Sequence, residues 1–343
     1  MPLIPPVNSD TDSESDPVSD RSRRTFLAGL GILLGSGLVA APLMATAARW
    51  TEPPTVLRPT SRRSRAPTAQ RPQPRPQIIT LNTTILRYLS DLRRTGRLAA
   101  NERTAWLVYD LTSQRYLASI NAGLPYQSAS MIKPFIALAF FNKVREGALQ
   151  YTAYHRARME AMIQRSDNEA TNYFIALLDQ TSRRSGPAEA EYTLKRRQPD
   201  IFRQTRIVER IPASGRTYRN RASALDYHRF LLALWHGQLP YAAELKRLMH
   251  LPNRDRIYSE ATGVARQTQV FDKTGTTAQL CGDMGILVAR GRDGRSYPYT
   301  FVGIIEKGRS ARDYGGWKDA RGDVIRTVSS IAYRHLRQMH DLV

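Results

Sequence analysis

The chain of 343 residues is long enough for one large domain or two modest ones, and its single cysteine, Cys281, excludes an intramolecular disulfide, so the fold must rest on packing. The formal net charge of +21 comes from scattered arginines without an aromatic-interleaved patch or a reader motif. That pattern argues against nucleic acid; it fits an arginine-rich solvated surface with no special role first, and electrostatic contact with an anionic wall polymer or membrane surface second. The six histidines show no H-E-x-x-H or comparable ligand spacing, so neither a metal nor a cofactor is expected.

Residues 1–47 read as an export signal. Arg23 and Arg24 precede an apolar stretch diluted by Gly29, Gly31, Gly35 and Gly37, and the stretch closes on the small-x-small pattern Ala45-Thr46-Ala47. The paired arginines make it a twin-arginine signal, which predicts a periplasmic or otherwise extracytoplasmic protein, membrane-tethered if the signal stays uncleaved. Residues 48–77, rich in Pro, Arg, Ser and Thr, have too few large apolar side chains to offset the entropy of folding and read as a disordered, partly extended spacer. The folded domain is expected over 78–343.

Within it, 79–98 has helical periodicity, with Ile85, Tyr88, Leu89 and Leu92 on one face. The runs "TAWLVYDL" and "RYLASI", separated by Thr112-Ser113-Gln114, predict a hairpin. Helices are expected over Pro134–Glu146, Tyr154–Gln164 and Glu169–Leu178, and again over 223–237 and 242–251. The stretch Thr181–Asn220 reads as irregular. Two late β-type runs, "GDMGILVARG" and "YTFVGIIEKG", precede an amphipathic helix beginning near Gly322. Strands near both ends with helices between them predict an α+β fold, in which one antiparallel sheet flanked by helices stands beside a helical lobe.

Three short motifs carry candidate chemistry. Ser130-Met131-Ile132-Lys133 opens the greasy run "PFIALAFF"; residues three apart share a helix face, and a serine becomes a nucleophile only when a base takes its proton. Lysine serves as that base only when burial or a neighbouring cation lowers its pKa. Without such help, Ser128 or Ser130 simply caps the helix. Ser166-Asp167-Asn168 offers a proton shuttle and an amide donor, although Ser166 with Glu169 also fits a capping box. Lys273-Thr274-Gly275-Thr276 supplies a cation, two hydroxyls for a carboxylate, and a glycine that lets a ligand approach the backbone.

In the order S-x-x-K, S-D-N, K-T-G, these motifs resemble the signature of class A β-lactamases and penicillin-binding D,D-peptidases, and the resemblance extends over roughly Trp106 to Leu336. It implies that Ser130 is acylated and Lys133 activates it, while Ser166 relays a proton to the leaving nitrogen and Asn168 holds the acyl side chain. Lys273 and Thr274 would engage the substrate carboxylate, and the N–H groups of Ser130 and Thr276 would form the oxyanion hole. Two departures stand out. The segment between Ser130 and Ser166 is shorter than in class A enzymes, and no glutamate of the 182–220 region has asparagine four residues later. Glu209 is the candidate deacylating base by position. β-Lactam hydrolysis through a Ser130 acyl-enzyme is the expected activity. The alternatives are a D,D-peptidase acting on D-Ala-D-Ala-type wall peptide, acylated but not cleared by β-lactams, and a wall-binding protein without turnover.

Overall fold

The computed structural model describes residues 80–212 and 219–343. The signal at 1–47, the spacer at 48–77 and the domain boundary at 78 lie outside those residues.

In chain order the elements are α1 (Leu81–Arg94), β1 (Glu102–Asp110), β2 (Arg115–Ile120) and β3 (Pro125–Gln127). A 3-10 turn over Ala129–Ile132 then leads directly into α2 (Lys133–Arg145). There follow α3 (Ala153–Ile163), α4 (Asn168–Asp179), α5 (Gly186–Arg197), β4 (Arg221–Ser223), α6 (Ala224–Trp235) and α7 (Ala242–Met249). The chain ends with β5 (Gln269–Thr276), β6 (Leu280–Arg290), β7 (Ser296–Lys307) and α8 (Tyr314–His340).

Five strands form one antiparallel sheet in the order β2-β1-β7-β6-β5, so β5 is an edge strand. The central strands β1, β7 and β6 are buried on both faces, and their side chains alternate between two cores with the period of two that a strand imposes. Trp106 and Val108 of β1, with Phe301 and Ile305 of β7, face α1 and α8. Ala105 and Leu107, with Val302 and Ile304, face the helical lobe around α2, α4 and α6. Gly303 lies opposite Trp106, and a Cβ there would stand 2.8 Å from the indole; glycine makes room for the largest ring in the core.

The α+β architecture, the hairpin and most helix positions agree with the sequence reading. Three features differ. The stretch read as irregular contains α5, a charged helix with few apolar residues whose Glu189 is buried against Lys143 of α2 at 2.7 Å. A two-stranded pair, β3 with β4, braces the segment just before Ser130. The last helix begins at Tyr314 rather than near Gly322, because Asp313 caps it by accepting from Gly316 N.

Candidate active site

Ser130 sits in the 3-10 turn rather than in the α-helix proper, and Lys133 is the first residue of α2. Just before the serine, Ala129 has φ of 46°, a left-handed conformation that a side-chain-bearing residue rarely adopts. Such strain persists only where the surroundings hold it. Here Ala129 is fully buried beneath β5, and the Ser128 N–H donates to Asn220 O at 3.0 Å. Ser128 makes no side-chain cap, so simple capping does not account for the serines of this turn.

Lys133 is fully buried. Its ammonium donates to Asn168 Oδ1 at 2.9 Å and to Ser166 Oγ at 3.2 Å, and it also contacts the Ser166 carbonyl. Burial, reinforced by the Lys273 cation, lowers the Lys133 pKa to about 7, while Asp167 opposes the shift. A lysine in that range holds a neutral fraction able to take a proton at neutral pH. Once neutral, it keeps two donors for Asn168 Oδ1 and the Ser166 carbonyl, and turns its lone pair toward a hydroxyl. Asn168, with its oxygen committed to the lysine, is left with its NH₂ free to donate.

Ser166 is also strained, with φ of 59°. It does not cap α4. Asp167 takes that role, accepting from Ala170 N at 2.6 Å, so the proposed Ser166–Glu169 capping box does not form. Freed from capping, Ser166 presents both its oxygens to Lys133.

The K-T-G segment is the end of edge strand β5, laid against the 3-10 turn. A Cβ on Gly275 would stand 2.9 Å from Met131 Cγ, 3.1 Å from Ala129 Cβ and 3.2 Å from Met131 N. Glycine is therefore required for the strand to reach the nucleophile turn. Lys273 shares the face of Gly275 and is buried; desolvation lowers its pKa, with the carboxylates Asp272 and Asp283 pulling the other way. Thr274 and Thr276 remain half-exposed at the rim.

Among the described residues, Glu209 bonds through its carboxylate to none of the motif side chains. Its carboxylate accepts from Arg219 N and pairs with Arg219 Nε at 2.8 Å, and its backbone is bracketed by the Asn220 side chain.

Two contributors escaped the sequence reading. Arg256 Nη2 donates to Thr276 Oγ1 at 2.7 Å and Nη1 to Gly282 O at 3.1 Å, which sets a guanidinium beside the hydroxyl that follows the K-T-G triplet. Asn172, one turn after Asn168, holds the Ile211 backbone through both the nitrogen and the oxygen of its side-chain amide. Neither carries a local signal, since each acts on a partner far away in the chain.

A sequence profile described as the beta-lactamase enzyme family matches residues 89–156 and 155–336. The chain belongs to the beta-lactamase enzyme family. Solved structures with the same fold include a mutant of PBP-A captured as an acyl-enzyme complex with penicillin G. That structure is 21% identical, with a TM-score of 0.59 over 75% of this chain and 96% of the other. A β-lactamase from Desulfarculus baarsii is 18% identical, with a TM-score of 0.58 over 74% and 98% of the two chains. The reconstructed last common ancestor of Gram-negative class A β-lactamases is 19% identical, with a TM-score of 0.57 over 73% and 99%. None of the functionally curated proteins matches the sequence. This member of the beta-lactamase enzyme family thus shares the β-lactamase/transpeptidase fold, and its three motifs lie together in that fold.

Proposed function

We propose that this protein is an exported active-site-serine acyltransferase that opens β-lactams and acyl-D-Ala-D-Ala-type amides, and that it holds the resulting acyl-enzyme long enough to behave as a peptidase rather than as a fast β-lactamase. The observation carrying the first part is the buried Lys133, with a pKa of about 7, bonded to Ser166 and Asn168 and one turn from Ser130. In the forward step Ser130 Oγ attacks the amide carbonyl and its proton passes to Lys133 Nζ. The carbonyl oxygen takes up negative charge between the Ser130 and Thr276 N–H groups, where fixed donors stabilise it most. Ser166 then gives its hydroxyl proton to the leaving nitrogen as the C–N bond breaks and takes the proton back from Lys133 Nζ, leaving an ester on Ser130 and a neutral lysine. Lys273, Thr274, Thr276 and Arg256 form the cationic, hydroxyl-lined end that suits the substrate carboxylate.

Slow release is supported by Glu209, whose carboxylate is engaged by Arg219. Rapid β-lactam hydrolysis is the second reading. It is favoured by the bond from Asn220 Nδ2 to Glu209 O together with the bond from Ser128 N to Asn220 O, which link Glu209 to the nucleophile turn. Arg219 is largely exposed, and its departure would free the carboxylate.

Intact-mass spectrometry after a penicillin pulse separates these readings. An adduct on Ser130 that lasts for hours supports the peptidase-like enzyme, and clearance within seconds supports the β-lactamase. No adduct at all leaves a wall-binding protein without turnover.

A further inference from the structure

Gln127, the last residue of β3, lies three positions before Ser130, and Thr277 follows Thr276 directly. The Thr277 hydroxyl donates to Gln127 Oε1 at 3.1 Å, and Gln127 Nε2 donates to Gln279 Oε1. The other end of Gln127 is anchored as well. Its N–H donates to Glu306 Oε1 on β7 at 2.8 Å, and Glu306 is paired with Arg103, whose guanidinium rests 4.7 Å from the Tyr126 ring centre. On the far side Thr277 Oγ1 accepts from Gln279 N and Leu280 N at 3.1 and 2.9 Å, which fixes the turn between β5 and β6. Gln127, Thr277 and Glu306 are all buried, so water competes little for these bonds.

We propose that Gln127 is a positioning residue for acyl transfer: through Thr277 and Gln279 it straps the end of β5 to the nucleophile turn and sets the gap between the Ser130 and Thr276 N–H groups. The inference rests on the reading of Ser130 as the nucleophile. Edge strand β5 has a sheet neighbour on one side only. At Gly275 it already touches Ala129 and Met131, which stops it from moving closer. The Gln127 strap stops it from moving away. Contact sets the lower limit of the gap and the hydrogen bonds set the upper one. An oxyanion needs donors at roughly 2.7–3.1 Å, so small changes in this gap matter.

The test compares wild type, Gln127→Leu and Gln279→Ala in the full chain. The readouts are the rate of acylation by a fluorescent penicillin and the infrared carbonyl band of the Ser130 ester, which reports how strongly the oxyanion donors polarise it. Gln127→Leu is expected to acylate about 10- to 100-fold more slowly, the range of a misplacement near 1 Å. Its ester band should move to higher frequency and broaden, and Gln279→Ala should move both readouts in the same direction by less. An ester band identical to wild type overturns the proposal, even if acylation slows, because it puts the effect elsewhere. If Gln127→Leu fails to fold, the half-buried Gln279→Ala decides by the same two readouts. Failure of wild type itself to form an adduct overturns the reading of the site, and the strap falls with it; an adduct insensitive to both substitutions overturns the strap alone.

Discussion

Asn172 grips Ile211 at both ends of its backbone: Asn172 Nδ2 donates to Ile211 O at 2.9 Å, and Ile211 N donates to Asn172 Oδ1 at 2.8 Å. Asn172 stands one turn beyond Asn168, the residue that binds Lys133, and residues four apart share a helix face. Ile211, rather than Glu209, is therefore held by its backbone to the motif helix beside the lysine, next to Arg210, whose side chain reaches the same helix. Ile211→Glu should place a base there and shorten the life of the penicilloyl adduct by about 10²-fold or more, the low end for a gained general base. Glu209→Gln should leave that lifetime unchanged, because its carboxylate serves Arg219. Time-resolved intact mass of the three proteins checks both outcomes; a trapped adduct in Glu209→Gln beside fast clearance in wild type would restore Glu209 as the base.

Acylation should rise with pH through about 7 and level off above it, because only neutral Lys133 can accept the Ser130 proton. Lys133→Ala should lose roughly 10²–10⁴-fold in rate together with this pH step. Ser130→Ala should lose covalent labelling altogether. The lowered pKa also has a folding consequence. Between about 7 and the ordinary lysine range the unfolded chain binds a proton that the folded chain does not, so this group makes stability rise with pH across that window. Melting temperatures of wild type and Lys133→Met, taken from pH 7 to 9, should shift in favour of wild type as pH increases.

Arg256 lies beside Thr276 as a cation able to meet an anionic group. Arg256→Ala should slow acylation by a penicillin about 10- to 100-fold, the worth of a hydrogen bond to a charged group at roughly 1.5–3 kcal/mol. The methyl ester of the same penicillin, which lacks the carboxylate, should react at nearly the same rate with both proteins. Equal losses for acid and ester would assign Arg256 a purely structural role.

Gly275→Ala forces a methyl group against Met131 and Ala129, and the backbone of the nucleophile turn cannot retreat without disturbing Ser130. The expected cost is about 1–3 kcal/mol of stability, as for other overpacked sites. Acylation should fall further than that loss of stability explains. Thermal unfolding and labelling rates on one preparation separate the two effects.

Replacing Arg23 and Arg24 by lysine should hold the protein in the cytoplasm, since the export pathway reads the arginine pair. Fractionation of cells expressing both forms tests this; equal amounts outside the cytoplasm would show that another route carries the protein.

The sequence by itself determined the fold class and the three motifs that form the candidate site. The candidate site groups sit in three stretches of three or four residues, and the run after Lys133 has no polar face, so burial of that lysine was legible from its neighbours alone. Strand alternation and helical periodicity located the sheet and most helices for the same reason: each is a local pattern of apolar side chains. Only the tertiary structure decided the rest. The α5 helix lacks an apolar stripe, because its buried Glu189 is balanced by Lys143 on another helix. Ser166 and Asp167 are both able to cap α4, and Ser166 is drawn instead to Lys133. Glu209, Ile211, Arg256 and Gln127 take their places from Arg219, Asn172, Thr276 and Thr277, and all but the first of these partners lie 20 or more positions away in the chain. Hydrogen bonds between distant residues leave no periodic trace, because the spacing that brings them together is set by the packing of whole elements.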